Sequence, residues 1–412
     1  MHPSDPPADP ESFVAPAYRG IGESLVRELA KLMSIPDMIS LAGGYPGPEL
    51  FDRDGVREAA DAALREAPVA CLQYGPTDGL PGLRDAIAAL LGARGTRCSP
   101  DDVLVTAGSQ QGFDLLVRTL LVPGDAAVVE RPTYTGPLRV LKVAGVRTLT
   151  VGVDAHGLDV DELEATLRDP ATPRPKLLYA VPTFANPSGA TMTRARRLKL
   201  LSLAVEHRFV IVEDDPYGQL RFSGEAEPHV AALVDEVPGS RPWVVHLGSF
   251  SKVIAPGLRL GYMVAPPALR RACLLAKQLD DISCPGFTQA TVQRYLAAGR
   301  LDAHLPTIVA AYRERAAAMR EALARHLAGR VDVEVPDGGM FMWGRLRGGA
   351  GARALLPHAI EEKVTFVPGD VYYAERADPA TLRLSFSTPS PAQILEGVAR
   401  IGRAVERMER AG

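Results

Sequence analysis

Short apolar runs alternate with longer stretches of helical periodicity through the middle of the chain. Val103–Thr106 reads as a strand and Ser109–Leu121 as the helix after it. Further strands are predicted at Ala126–Val129, Lys176–Val181, Val210–Asp214, Val244–Leu247 and Leu258–Val264, with a helix at Arg194–His207. Runs that are apolar throughout suit strands buried on both faces. Their alternation with helices predicts an α/β fold on a largely parallel sheet. Such sheets hold ligands at the carboxyl ends of their strands. From about Asp302 the texture changes. A long helical pattern over Leu305–Ala328 precedes Val331–Val335, the segment Gly338–Trp343 and Leu382–Phe386, which together predict a smaller α+β domain.

Composition removes several classes of function. A chain of 412 residues is too long for one small core, so a large and a smaller domain are expected. Its 46 basic and 49 acidic residues leave a net charge of -3, which argues against a nucleic-acid partner. The cysteines, Cys71, Cys98, Cys273 and Cys284, have no metal-motif spacing and are too few for a disulfide scaffold. Reduced thiols in a cytoplasmic protein are the expectation, with no metal. The Pro-rich start has neither the basic nor the apolar part of a signal peptide and reads as a disordered arm. With no run of about 18 apolar residues, no membrane span is expected.

The chemistry concentrates after the predicted strands. Gly248-Ser-Phe-Ser-Lys252 runs on to Arg259 and Gly261. An amine in a partly desolvated, cationic site has a lowered pKa and condenses with an aldehyde. Ser249 and Ser251 add hydroxyl donors, and Arg259 adds a fork suited to a phosphate. The predicted strand Val210–Asp214 runs out through the acids Glu213, Asp214 and, just beyond it, Asp215, which suit either a cationic ring nitrogen or a helix cap or solvated loop. Asn186-Pro-Ser-Gly189, taken alone, is a turn signal. Gly108, Ser109 and Gln110 join a strand to a helix, where free N–H groups attract phosphate or simply cap the helix. Arg383 lies in an apolar strand and needs a carboxylate partner, either a ligand or a neighbouring side chain.

The lysine segment resembles the cofactor-lysine signature of the fold-type I, class I/II aminotransferases. The chain is similar, from about Ile21 onward, to the branch containing 2-aminoadipate, kynurenine and multi-substrate aromatic aminotransferases. The resemblance implies a large domain with a mostly parallel seven-stranded sheet between helices and a smaller C-terminal α+β domain. The expected division is an arm over 1–20, an N-terminal segment over 21–50 associated with the small domain, the large domain over 51–290 and the small domain over 291–412.

It also implies the cofactor pyridoxal 5′-phosphate (PLP), joined to Lys252 as a Schiff base, with Lys252 moving the proton at the substrate's α-carbon. The pattern Asp, two residues, Tyr matches Asp214 and Tyr217 and favours Asp214 as the partner of the ring nitrogen. By the same resemblance Asn186 and Tyr217 contact the ring oxygen, with Ser188 standing where the family has Thr. Gly108, Ser109 and Gln110 join Ser249, Ser251 and Arg259 around the phosphate, and Tyr134 stacks on the ring. Arg383 takes the substrate's α-carboxylate, and Gly44 lets backbone approach the substrate. Tyr74 reaches the phosphate in the neighbouring subunit of a homodimer with shared sites. Arg27 contacts a side-chain carboxylate of the substrate or is a solvated helix-face arginine.

The implied reaction is ping-pong transfer of an amino group between an amino acid and a 2-oxo acid, by default the glutamate and 2-oxoglutarate couple. Two other readings remain: a β-lyase, decarboxylase or oxidase on the same scaffold, and a transcription regulator with an aminotransferase-like domain. The second needs an added helix-turn-helix domain, and only about twenty residues precede the resemblance.

Overall fold

The computed structural model describes residues 10–19, 21–349 and 351–411. Among them the large sheet has eight strands. In spatial order these are Val103–Thr106, Gly261–Val264, Val244–Ser249, Val210–Asp215, Pro175–Ala180, Ala126–Arg131, Arg147–Asp154 and Gly157–Leu158. The five from Val244–Ser249 to Arg147–Asp154 run parallel to their neighbours. Gly261–Val264 is antiparallel to the strands on both its sides. The expected seven strands become eight because the chain turns back at the edge into the two-residue strand Gly157–Leu158. The neighbouring strand Arg147–Asp154 escaped the apolar-run search because it is mostly half-buried and alternates polar with apolar residues.

The parallel strands carry apolar residues on both faces, and each face has its own core. Ala127, Val129, Leu177, Val212, Val245 and Leu247 belong to one core, shared with the helix Ser109–Leu120 and the small domain. Val128, Leu178, Ala180, Ile211 and Val244 belong to the other, with the helices Val160–Arg168 and Arg194–His207. Successive residues therefore point to opposite sides, as a strand requires.

A second sheet has four antiparallel strands in the order Val331–Glu334, Phe341–Leu346, Thr381–Ser385 and Val367–Pro368. The helices Arg300–His326 and Pro391–Ala411 pack on one another beside it, whereas Gly286–Ala297 packs on Arg53–Glu66. Ile39–Ser40 pairs in parallel with Val364–Thr365 in a separate two-stranded sheet, so the N-terminal segment is stitched to the chain just before the smaller sheet's edge strand Val367–Pro368. Of the expected disordered arm, residues 1–9 lie outside the described residues. Pro10–Phe13 and Pro16–Tyr18 form short 3-10 turns with no buried side chain. No helix of the described residues is long and apolar enough to cross a membrane.

Candidate active site

A cavity of about 360 Å³ opens where the parallel strands end and the small domain begins. With one exception, every residue to which the resemblance gave a cofactor or substrate role lines it. The exception is Tyr74, which is 80% exposed and lies outside that lining.

Lys252 sits in the loop between the antiparallel strands Val244–Ser249 and Gly261–Val264. Its Nζ donates to the Gly44 carbonyl at 2.9 Å. Burial, reinforced by the guanidinium groups of Arg383 and Arg259, lowers its pKa to about 8. The strand predicted to start at Leu258 starts only at Gly261. Pro256–Leu258 forms a 3-10 turn instead, and Arg259 follows it with φ of 48°. That turn brings Arg259 to the cavity, where its Nη2 donates to the Ala107 carbonyl at 2.9 Å.

The three acids of strand Val210–Asp215 divide by parity. Glu213 faces the back, where it accepts from Val230 N at 2.7 Å and pairs with His246 at 3.0 Å. Burial pushes its pKa up, but His246, His229 and Arg197 outweigh this and bring it to about 2. Asp215 also faces the back, between Arg94 at 2.9 Å and His229 at 3.0 Å. The ligand atoms of Asp215, His229 and His246 lie within 4.8 Å of one another, but Arg94 already supplies Asp215 with a cation. Asp214 alone turns to the cavity. Its Oδ2 accepts from the Tyr179 hydroxyl at 2.7 Å, while its Oδ1 is buried with no hydrogen-bond partner among the described residues. Burial raises its pKa to about 6, against the opposing pull of the Tyr179 and Ser109 hydroxyls.

Asn186 follows strand Pro175–Ala180 and joins two other candidates. Its Nδ2 donates to the Tyr217 hydroxyl at 3.4 Å, and its Oδ1 accepts from Arg383 at 2.9 Å. Arg383 is 3% exposed and also donates to the Ala42 carbonyl at 2.6 Å. Its guanidinium lies over Phe341 at 4.2 Å and near the Tyr372 ring at 5.1 Å. Among the described residues no acidic side chain pairs with it, and it is held instead by the Asn186 amide oxygen and the Ala42 carbonyl. Among the described residues its Nε has no hydrogen-bond partner. A buried, hydrogen-bonded cation of this kind is poised for an anionic ligand.

In the same cavity, Gly108 caps the helix Ser109–Leu120 with φ of 91°, a conformation that favours glycine. A Cβ on Gly261 would lie 2.7 Å from the Gly248 carbonyl oxygen and 2.8 Å from the Gly108 Cα. The two glycines let the helix N-terminus settle against the strand that follows Arg259. First-turn N–H groups have no partner within their helix, and here they join Ser249, Ser251 and Arg259 at the cavity wall.

The family model for aminotransferase class I and II matches residues 37–401. The chain belongs to the class I and II aminotransferases. It is a PLP-dependent enzyme that moves amino groups. It is 40% identical to the 2-aminoadipate transaminase of Thermus thermophilus, over 96% of this chain and 97% of that one. It is 37% identical to aromatic-amino-acid aminotransferase 1 of Thermococcus litoralis, over 97% of this chain and 96% of that one. Among solved structures, the kynurenine aminotransferase of Pyrococcus horikoshii superposes with a TM-score of 0.92 at 38% identity, covering 97% of this chain and 98% of that one.

The aminotransferase cavity fits PLP on its own chemistry. A buried carboxylate oxygen with an open valence suits a protonated ring nitrogen, and an amine of lowered pKa suits an aldehyde. A helix N-terminus beside an arginine suits a phosphate. Sequence reasoning missed Tyr179, Tyr372 and Tyr45, which also line the cavity. Tyr179 was within reach, because it falls on a predicted strand with the parity of Val181. Tyr372 and Tyr45 lie in irregular segments with no period to orient them.

Proposed function

We propose that this aminotransferase holds PLP between Lys252 and Asp214 and transfers amino groups between an L-amino acid and a 2-oxo acid, with glutamate and 2-oxoglutarate as the default couple. The observation that carries the reading is the pairing, in one cavity, of an amine with a pKa of about 8 and a carboxylate with one unpartnered oxygen. Bound PLP supplies an aldehyde that condenses with amines and a cationic ring that withdraws electrons from the α-carbon of an attached amino acid.

The chain's residues do the rest. Asp214 Oδ1 accepts from the ring nitrogen and keeps it protonated. Asn186 and Tyr217 hold the ring oxygen, and Tyr134 stacks on the ring face. Gly108, Ser109, Gln110, Ser249, Ser251 and Arg259 hold the phosphate. Arg383 takes the α-carboxylate and so aims the α-hydrogen, with Gly44 beside the substrate. Lys252 Nζ would carry the proton away from the substrate's α-carbon. Its lowered pKa leaves an appreciable neutral fraction near pH 8.

Arg27 lines the same cavity from the helix Leu25–Lys31 and is exposed, which supports a role toward a substrate's acidic side chain. Tyr74 is proposed to serve the site of a second copy in a homodimer. Support comes from Val69, Leu72, Leu275 and Leu279, which are 74%, 77%, 53% and 90% exposed. Large apolar side chains left in water are suited to burial against a partner. The four unpaired cysteines support a cytoplasmic location.

The test is direct. Purified protein with PLP is expected to be coloured, to trap the cofactor on Lys252 with borohydride, and to lose its band with preferred amino acids. A panel of 2-oxo acids then restores the band. Colourless protein, or release of pyruvate, ammonia or peroxide without dependence on a 2-oxo acid, would overturn the reading.

A further inference from the structure

We propose that Tyr179 is a positioning residue for Asp214. Its hydroxyl donates to Oδ2 at 2.7 Å and so turns the carboxylate to present Oδ1, the oxygen without a partner, to the cofactor's ring nitrogen. The inference rests on the reading of Asp214 as that nitrogen's partner.

Three observations carry it. The contact has the length of a hydrogen bond to a charged acceptor, and a donor to one carboxylate oxygen favours the anion. Tyr179 is itself held by packing. It lies on the central strand Pro175–Ala180, is fully buried, and sits edge-on to Phe113 with ring centroids 4.8 Å apart. A phenylalanine would fill the same space, so the hydroxyl is what tyrosine adds, and its hydrogen bond goes to Asp214. Burial and the neighbouring Asp214 carboxylate also push the Tyr179 phenol well above its ordinary range, so it stays a donor.

Other groups act on Asp214 from every side. Asp215 and His246 lie behind it, and the Ser109 hydroxyl favours its charge from the helix N-terminus. Tyr134, Tyr217 and Glu130 each respond to its charge. Asp215 repels the charge on Asp214 while Ser109 and His246 favour it, so losing one strong donor shifts the balance toward the neutral acid.

The experiment compares wild type with Tyr179→Phe and Tyr179→His as holoenzymes and after resolution to apoprotein. Dissociation of PLP is titrated against pH. In the Phe variant the acid limb, where affinity falls as Asp214 takes a proton, is expected to move up by about one pH unit. The first half-reaction is expected to slow by roughly tenfold to a hundredfold, with KM for the amino acid nearly unchanged. The His variant restores a donor and is expected to bring the limb back toward wild type. If the Phe variant does not fold, Tyr179→Leu takes its place with the same expected shift of the limb. An unmoved limb in the Phe variant, or a His variant as displaced as the Phe variant, overturns the inference. Wild type that stays colourless with PLP overturns the underlying reading instead, so the two failures are distinct. A tyrosine that merely filled space would lower the thermal midpoint and leave the limb in place.

Discussion

Replacing Asp214 with asparagine isolates the most consequential charge in the cavity. Asparagine has nearly the same shape, and its amide oxygen can still accept from Tyr179, which donates to Oδ2 in wild type. That leaves an NH2 group where Oδ1 had no partner. A donor then faces the ring nitrogen, and a buried ion pair is broken. Breaking such a pair from one side costs about 3–5 kcal/mol, which as a barrier is roughly a hundredfold to a few thousandfold in rate. Stopped-flow absorbance during the first half-reaction measures this without interference from the second substrate. Asp215→Asn is the matched control. It weakens contacts to Arg94 and His229 on the far face, so it should lower the thermal midpoint while the folded fraction keeps a rate within a few fold of wild type. The parity argument fails if Asp214→Asn stays within threefold of wild type, or if Asp215→Asn slows the reaction as much.

Three further outcomes are expected. Lys252 has a folded pKa of about 8 against an ordinary 10.5, so apoprotein stability should rise with pH between those values, where the unfolded chain binds the extra proton. Amine-selective labelling of Lys252 in apoprotein should accordingly show a midpoint near 8, and a midpoint near 10 would contradict the burial argument. Tyr74→Ala and Lys252→Ala proteins, each nearly inactive alone, should recover about a quarter of the sites on equal mixing and subunit exchange, because mixed dimers each hold one intact site. No recovery, with exchange shown by mass, would place Tyr74 outside the site. Arg27→Ala should lower kcat/KM for acidic amino acids by roughly tenfold and spare apolar ones, whereas an equal fall for both would make Arg27 structural.

Much of this architecture is legible in the chain because buried parallel strands are written as continuous apolar runs. Val103–Thr106 and the helix Arg194–His207 have the predicted bounds. Arg147–Asp154 was missed because it lies toward the sheet's edge and is polar on alternate residues. The strand after Lys252 was started too early because Leu258 and Leu260 look like strand residues, while backbone geometry at Arg259 ends a 3-10 turn there. For the site, motif resemblance selected residues that the fold brings to one cavity, but it could not show what each is bonded to. Tyr179 is the instructive omission. Its chemistry depends on a neighbour 35 positions away, across a strand pairing that has no local signature.

The alternation of Glu213, Asp214 and Asp215 gives this strand a reading frame. Inserting or deleting one residue within Val210–Asp215 would exchange the two sides of the sheet at once. An acid held by Arg94 or His246 would swing into the cofactor cavity, and the cofactor's own acid would be delivered to a histidine cluster. Such a change need not touch a single motif letter to destroy the enzyme. Length variation within this family should therefore collect in the connecting loops and stop short of this strand.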